Sequence, residues 1–360
     1  MPRRGAPLGV GVVGCGRVAV THHLPVLQRL PEARLVAVAD VDPGRLERVA
    51  GQFEVERRYP DFQALLEDRA VDVVAVCVPA LSHADVALAA LDAGKHVLVE
   101  KPLALRLDDC DRLIERAKRS RGRVAVGFNM RCHRLVRQAR ATIRRGALGP
   151  IKLLSSTFTG GMRYREDAPS WRARRDLGGG VLLEQAIHHF DLWRFLLQDE
   201  VAEIFAASRL EDESAALAAR MVNGALAASA CSEGTSDSNE IAVYGHDGRL
   251  QVSCYRFDGF ELFSPSSRSG DARARLRGAV QFLRGFPRAA QTARQGGEWQ
   301  ASYRAEWQSF VDAIERDGPV HCTLEDGRRA VQVALAAVES ASTRQPVRVD
   351  RASREITPTR

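Results

Sequence analysis

The spacing of apolar residues differs between the two halves of the chain. In residues 8–127, short apolar runs alternate with stretches whose apolar residues recur at helical spacing. The runs predict five strands: Leu8–Val13, Leu35–Ala39, Val71–Val78, Val97–Val99 and Val124–Val126. The stretches between them predict five helices: His22–Leu30, Pro43–Gln52, Phe62–Asp68, Ala84–Ala93 and Leu107–Ser120. This alternation predicts a doubly wound parallel sheet of the Rossmann type, an α/β fold.

The order of predicted helices and strands changes after Phe128. Helices are predicted at 135–146 and 181–197, and a strand at 151–158, before a series of strands without intervening helices. Asn223-Gly224 and Asp247-Gly248 each lie between two apolar runs, a position that favours a tight hairpin turn. Four strands are predicted around these turns and a fifth follows: Ala215–Met221, Ala225–Ser232, Ile241–Gly245, Arg249–Val252 and Arg256–Phe263. The second half is therefore predicted to be an α+β domain with a mostly antiparallel sheet.

These two patterns of helices and strands predict two domains, residues 1–128 and residues 129–360. The second contains an Arg-rich helical insert at 265–300, in which seven arginines accompany only two acids, Asp271 and Glu298. A solvated insert, a subunit contact, and a lid or anion site are all open for this segment. Two helices, Ala301–Arg316 and Leu324–Thr343, and a strand, Pro346–Val349, are predicted to close the chain.

Composition and charge narrow the class of protein. No apolar stretch of the 360 residues approaches the 18 needed to cross a membrane. The net charge of +7 suits anionic ligands, but no nucleic-acid module accompanies it. The seven cysteines form no C-x-x-C pair, which favours reduced thiols and a cytoplasmic location.

Two overlapping glycine patterns follow the N-terminus. Gly9-x-Gly11-x-x-Gly14 and Gly14-x-Gly16-x-x-Ala19 both resemble the dinucleotide fingerprint. Only the second follows a convincing strand, Leu8–Val13, and opens a helix. Gly14 is therefore predicted to make the turn and Gly16 to admit the pyrophosphate.

Asp40 ends the second predicted strand about twenty residues after this loop, where a ribose-binding acid is expected. A carboxylate there repels a 2′-phosphate, and neither Val41 nor Asp42 supplies a compensating cation, although Arg45 is near. NAD is therefore favoured over NADP as the cofactor.

Glu100-Lys101-Pro102 directly follows the predicted strand Val97–Val99. Ligands of open α/β sheets bind at the carboxyl ends of the strands. Pro102 restricts Lys101 to an extended conformation, which aims its side chain. Lys101 is thus either a charge at the strand end that serves only solubility or a candidate catalytic residue.

Several motifs in order resemble the glucose-fructose oxidoreductase / inositol dehydrogenase / rhizopine catabolism (Gfo/Idh/MocA) family. They extend nearly end to end: Gly14-Cys-Gly-Arg-Val-Ala19, Cys77-Val-Pro-Ala-Leu-Ser-His83, Glu100-Lys-Pro102, Gly127-Phe-Asn-Met-Arg131, Gly178-Gly-Gly180 with His188-x-x-Asp191, and Glu325-Asp-Gly327. The resemblance implies a Rossmann domain followed by an α+β domain whose open sheet often mediates oligomerisation, and therefore a homo-oligomer (dimer or tetramer). It also implies NAD(P)-dependent oxidation or reduction of a carbinol carbon in sugars, cyclitols or their derivatives.

The resemblance also implies site residues. The family's active-site lysine corresponds to Lys101, and its usual Asp-x-x-x-His motif corresponds to Glu184-x-x-x-His188, where Glu replaces Asp. Spacing of four and three residues places Glu184, His188 and Asp191 on one helix face. Three ligands on one helix are poor geometry for a metal, so no metal is expected.

In the expected oxidation, His188 accepts the hydroxyl proton, Lys101 hydrogen-bonds the same oxygen, and Glu184 positions the substrate or tunes Lys101. The predicted cofactor contacts are Gly14, Gly16, Arg17, Val18, Asp40, Val78, Pro79, His83, Glu100, Lys101 and Asn129. The predicted substrate contacts are Lys101, Arg131, Trp171, Arg172, Glu184 and His188.

Two further functions stay open at the level of sequence. One is a dinucleotide-binding regulator without turnover, which would have no need of Lys101 and His188. The other is an NAD-dependent enzyme that cleaves glycosides through transient oxidation.

Overall fold

The computed structural model describes residues 6–161, 179–208, 213–265, 272–294, 296–351 and 354. Contacts between Cα atoms divide the chain into two compact units. The first contains Met1–Asn129 and Tyr303–Val331, and the second contains Met130–Ser302 and Gln332–Arg360. The linear division predicted from sequence, 1–128 and 129–360, does not contain this return of residues 303–331 to the first unit.

The first unit is built on a six-stranded parallel sheet in the order β3-β2-β1-β4-β5-β6. Its strands are β1 (Leu8–Val13), β2 (Ala33–Ala39), β3 (Arg57–Tyr59), β4 (Val73–Val76), β5 (His96–Glu100) and β6 (Val124–Gly127). The order reverses at β1, whose neighbours are β2 and β4, and this is the switch point where open α/β sheets bind ligands. The predicted Rossmann-type sheet is confirmed, while the short polar strand β3 was not predicted because Arg57 and Arg58 are not apolar.

Five helices connect these strands. They are α1 (Leu24–Leu27), α2 (Pro43–Gln52), α3 (Phe62–Glu67), α4 (His83–Asp92) and α5 (Leu107–Lys118). Asp42 and Asp61 cap α2 and α3, since each carboxylate accepts a backbone N–H from the first turn. The first predicted helix, His22–Leu30, is instead a π-helical turn, Ala19–His23, that continues into α1.

The second unit is built on an eight-stranded sheet in the order β13-β12-β11-β7-β10-β9-β8-β14. The strands are β7 (Ile151–Thr159), β8 (Val201–Ser208), β9 (Ser214–Met221), β10 (Leu226–Ser232), β11 (Ser238–Gly245), β12 (Gly248–Ser253), β13 (Phe260–Phe263) and β14 (Val347–Arg348). All neighbouring pairs are antiparallel except β7 with β10. The mostly antiparallel sheet is therefore confirmed.

Both predicted hairpins form, and Gly224 has a φ of 90° at the turn between β9 and β10. The strand β8 was not predicted. A register shift between Val201 and Glu203 interrupts the alternation of inward and outward residues that would have shown it.

The remaining helices are α6 (Arg134–Arg144), α7 (Ile187–Leu197), α8 (Ala272–Arg294), α9 (Gly297–Glu315) and α10 (Leu324–Thr343). A π-helical turn, Leu182–Ala186, precedes α7, so the predicted helix at 181–197 is present but does not begin as a regular α-helix. The predicted helical insert corresponds to α8. No helix in the described part of the chain has the length and hydropathy of a membrane span.

Candidate active site

The glycine loop adopts the second of the two predicted registers. Gly9 and Gly11 lie inside β1, where an added Cβ would meet Ala70 O at 1.9 Å and Leu65 Cδ2 at 2.8 Å. Gly14 has a φ of +94°, and a Cβ there would lie 2.6 Å from Cys77 O. Gly16 has open space around its missing side chain. The first two glycines therefore serve packing, Gly14 serves the turn, and Gly16 leaves room for a ligand against the backbone.

Asp40 lies at the carboxyl end of β2 beside this loop. Its Oδ2 accepts the Cys15 N–H at 2.8 Å, and its Oδ1 accepts the Asp42 N–H at 2.9 Å. The half-exposed Arg45 approaches the same carboxylate at 3.2 Å. Asp40 thus ties the loop to the strand end, and the glycine turn, the open Gly16 and this acid together fit a dinucleotide.

Lys101 follows β5 at the same edge of the sheet. The backbone N–H of Lys101 donates to Glu100 Oε2 at 3.0 Å. Beyond it, Pro102 O lies 2.6 Å from Nδ1 of the buried His83, whose Nε2 lies 2.9 Å from Val78 O. His83, a predicted cofactor contact, therefore has both ring nitrogens against backbone carbonyls, where it joins the ends of β4 and β5.

A buried cluster behind Lys101 was not predicted. His23 Nε2 lies 2.9 Å from Glu100 Oε1, and Trp307 Nε1 donates to His23 Nδ1 at 3.0 Å. Glu306 is fully buried next to Trp307 in sequence, and burial raises its pKa well above the ordinary value. The adjacent pair His22-His23, directly after the glycine loop, was the one signal in the sequence that could have drawn attention to this cluster.

In the second unit, Glu184 belongs to the π-helical turn and His188 to α7. Both are nearly buried, with 7% and 5% exposure. The His188 ring packs edge-on against Phe158 at 5.8 Å and against Trp299 at 6.4 Å between centroids. The packing of Phe158 and Trp299 against His188 was not predicted from the sequence.

Asp191, predicted on the same face, forms a buried ion pair instead. Arg131 donates from Nε to Oδ2 at 2.8 Å and from its terminal nitrogen to Oδ1 at 2.6 Å. The Arg131 guanidinium also lies 5.0 Å from the Phe195 ring centroid. Arg131, a predicted substrate contact, thus holds the structural pair with Asp191.

The neighbour of His188 is built into the core. His189 is fully buried, its Nδ1 lies 3.0 Å from Ser229 Oγ, and burial lowers its pKa to about 4. It is therefore a neutral packing residue at physiological pH.

Three further residues were predicted to contact the cofactor or the substrate: Asn129, Trp171 and Arg172. Asn129 is fully buried and begins the 3₁₀ turn Asn129–Cys132 that follows β6. Trp171 and Arg172 lie outside the described residues. Within the described ranges, no group of three or more His, Cys, Asp or Glu residues is arranged to hold a metal ion.

Comparison with known proteins agrees with a dinucleotide-binding first unit. The profile "Oxidoreductase family, NAD-binding Rossmann fold" matches residues 8–128, and the profile "GFO/IDH/MocA C-terminal domain" matches residues 136–251. The chain is 30% identical to the myo-inositol 2-dehydrogenase of Thermotoga maritima, over 95% of this chain and 98% of the relative. It is 27% identical to the inositol 2-dehydrogenase of Rhizobium meliloti, over 94% of this chain and 98% of the relative.

Solved structures show the same fold. A probable dehydrogenase from Thermotoga maritima has a TM-score of 0.77 and 26% identity, covering 96% of this chain and 100% of its own. A levoglucosan dehydrogenase solved with NADH and levoglucosan has a TM-score of 0.80 and 22% identity, covering 96% and 100%.

The chain belongs to the Gfo/Idh/MocA oxidoreductase family. It is an NAD-dependent oxidoreductase that transfers hydride between the nicotinamide and a carbinol or keto carbon. The two alternatives, a regulator without turnover and a glycoside-cleaving enzyme, receive no support from these comparisons.

Proposed function

We propose that this enzyme oxidises a ring hydroxyl of a cyclitol or sugar with NAD as the acceptor. The 30% identity with a myo-inositol 2-dehydrogenase across nearly the full length of both chains supports a polyhydroxylated ring as substrate. The loop at Gly14 and Gly16 and the Asp40 carboxylate supply the residues that would hold the dinucleotide. When bound, NAD supplies the hydride acceptor, and the chain supplies placement and proton management.

The placement of Lys101 carries this proposal. It directly follows β5, at the sheet edge that also presents the glycine loop, and hydrogen bonds hold the backbone on both sides of it. A cation so held would donate a hydrogen bond to the carbinol oxygen and stabilise the charge that develops when its proton leaves. A lysine that served only solubility would not need the hydrogen bonds of the buried Glu100 and His83 on either side of it.

The proposed proton acceptor is His188. Its ring is nearly buried and packed against Phe158 and Trp299, which fixes its orientation and limits access of water. A histidine so placed can act as the general base that removes the hydroxyl proton.

Glu184 is proposed to position the substrate through its hydroxyl groups. A Glu side chain reaches one methylene further than the Asp of the usual family motif. Glu184 also lies in a π-helical turn, a geometry that is frequent at functional sites. Substrate preference is therefore expected to depend on this position.

We also propose that the enzyme is a homo-oligomer that associates through the exposed face of the eight-stranded sheet. Apolar residues face outward in register across β8, β9 and β10: Phe205 pairs with Ala218, and Ala218 pairs with Ala228. Phe205 and Leu226 are 39% and 52% exposed on this face. Exposed apolar residues grouped on one sheet face suit self-association. The seven free and buried cysteines support a reducing, cytoplasmic location.

The direct experiment is spectrophotometric NAD reduction with a panel of inositol isomers, aldoses, anhydrosugars and nucleotide sugars. Formation of NADH in proportion to a ketone product with one ring substrate is the expected result. Release of a free alcohol from a glycoside without net NADH would contradict the proposal in favour of glycoside cleavage. Tight NAD binding with no turnover across the whole panel would also contradict it.

A further inference from the structure

Three buried side chains of the first unit form a hydrogen-bonded chain that ends at Lys101. Trp307, His23 and Glu100 are 0%, 0% and 5% exposed. The indole N–H of Trp307 donates to His23 Nδ1 at 3.0 Å, and His23 Nε2 lies 2.9 Å from Glu100 Oε1. The other carboxylate oxygen, Oε2, accepts the Lys101 N–H at 3.0 Å.

The partner atoms fix the tautomer of His23. An indole nitrogen can only donate, so the Nδ1 that faces it must carry a lone pair and no proton. The proton of a neutral ring is then on Nε2, where it points at the Glu100 carboxylate. An imidazolium would place two N–H groups face to face at Trp307, so the hydrogen bond from the indole requires an unprotonated Nδ1.

Glu100 is correspondingly an ionised acceptor. An ionised carboxylate offers lone pairs on each oxygen, and here the His23 ring faces Oε1 at 2.9 Å while the Lys101 N–H donates to Oε2 at 3.0 Å. Two donors therefore converge on one carboxylate, each on its own oxygen.

A second carboxyl group, that of Glu306, lies nearby. Burial and the charge of Glu100 raise the pKa of Glu306 well above its ordinary value, which favours its neutral form. The ionised carboxyl group of the cluster is therefore expected on Glu100, the residue adjacent to Lys101.

We propose that Glu100 and His23 are positioning residues for Lys101, with Trp307 holding His23 as the neutral Nε2–H tautomer so that Glu100 remains a carboxylate that fixes the Lys101 backbone. This inference rests on the proposed role of Lys101 in hydride transfer. In this proposal Glu100 holds the backbone of Lys101, whereas the sequence analysis predicted that Glu100 contacts the cofactor.

The first test needs no substrate. We compare amide hydrogen exchange at Lys101 in the NAD-bound wild type, His23→Leu and His23→Gln. A glutamine retains an N–H for Glu100 and an oxygen for Trp307 but cannot carry a charge, so protection is expected to survive in His23→Gln and to fall about tenfold in His23→Leu. Equal protection in wild type and His23→Leu would overturn the proposal.

A matched pair of tryptophan variants tests the tautomer. Trp307→Phe removes the indole donor to His23 and keeps an aromatic ring. Trp193→Phe removes an equally buried indole donor, the one to Ser156 Oγ at 3.3 Å, far from His23 in sequence. Loss of Lys101 amide protection in the first variant and not in the second is expected. Equal behaviour of the two variants would overturn the role of Trp307.

Kinetics then test the consequence for turnover. His23→Leu and Glu100→Gln are expected to lower kcat about tenfold with KM for NAD changed by less than about twofold, while His23→Gln and Glu306→Gln retain kcat. A loss of kcat in His23→Gln as large as in His23→Leu would show that His23 acts through a charge or a transferred proton and would overturn the proposal. Failure of the wild type to oxidise any ring substrate would overturn the proposed function instead, and the exchange experiments would still decide the positioning.

Discussion

The Asp191 carboxylate accepts two hydrogen bonds from Arg131, from Nε at 2.8 Å and from a terminal nitrogen at 2.6 Å. Both side chains are almost fully buried, with 6% and 1% exposure. Because the Asp191 carboxylate and the Arg131 guanidinium are paired inside the protein, removal of the Asp191 charge breaks a buried ion pair. Asp191→Asn is therefore expected to lower the free energy of unfolding by about 3–5 kcal/mol, measured by denaturant titration.

Glu200→Gln is the matched control for this prediction. Glu200 also accepts two hydrogen bonds from one arginine, Arg194, but its side chain is 47% exposed. Its replacement is expected to cost less than about 1 kcal/mol. Equal losses in the two variants would mean that burial does not set the strength of these pairs.

Asp40→Asn is expected to weaken NAD binding about tenfold and to weaken NADP binding much less, because the carboxylate both bonds ribose hydroxyls and repels a 2′-phosphate. Isothermal titration with each dinucleotide measures the two dissociation constants. Asp42→Asn is the control, since Asp42 caps α2 at the neighbouring exposed position. A parallel loss for NAD and NADP in Asp40→Asn would indicate that Asp40 only supports the loop through Cys15.

Glu306→Gln is expected to make stability less dependent on pH. The pKa of Glu306 is raised in the folded protein, so its contribution to stability is fully present below its ordinary pKa of 4.5 and is lost as pH rises toward the folded value. Glutamine does not ionise. The difference in melting temperature between Glu306→Gln and wild type should therefore increase in favour of the variant from about pH 5 to about pH 8.5.

Glu315→Gln provides the reference for this pH series, because Glu315 is exposed near the end of the same helix, α9. Its melting temperature should follow the wild type throughout. A constant difference between Glu306→Gln and wild type at all pH values would contradict a raised pKa at Glu306.

Ala218→Arg is expected to dissociate the proposed homo-oligomer. Ala218 lies in the middle of the outward face, between Phe205 on β8 and Ala228 on β10, so an arginine there places a charge and a long side chain in the contact. Light scattering coupled to size-exclusion chromatography gives the mass in solution. Ala93→Arg, at an exposed position after α4, should leave the mass unchanged. An unchanged mass for Ala218→Arg would place any association elsewhere.

The sequence predicted those parts of the fold whose causes are local. The valine-rich run Leu8–Val13, the turn at Gly14 and the acid at Asp40 follow each other in order, so the position of the cofactor loop could be predicted from neighbouring residues. The hairpins at Asn223-Gly224 and Asp247-Gly248 were predictable for the same reason.

Features with distant or irregular causes could not be predicted. Trp307 and His23 are 284 positions apart, and no periodicity connects them. The register shift in β8 obscured a strand, and a π-helical turn, Leu182–Ala186, stands where a regular helix was expected at Glu184. Asp191 fitted the spacing of a site residue, yet its partner Arg131 was visible only in three dimensions.

The most direct test of the account is single-turnover NAD reduction by Lys101→Ala, with NAD binding measured on the same preparation and with the exposed Lys118→Ala as a control. We predict that Lys101→Ala lowers the rate by at least about 10²–10⁴-fold while the dissociation constant for NAD stays within about threefold of wild type. A rate for Lys101→Ala equal to that of Lys118→Ala and wild type would contradict the central claim that Lys101 acts at the reacting carbon.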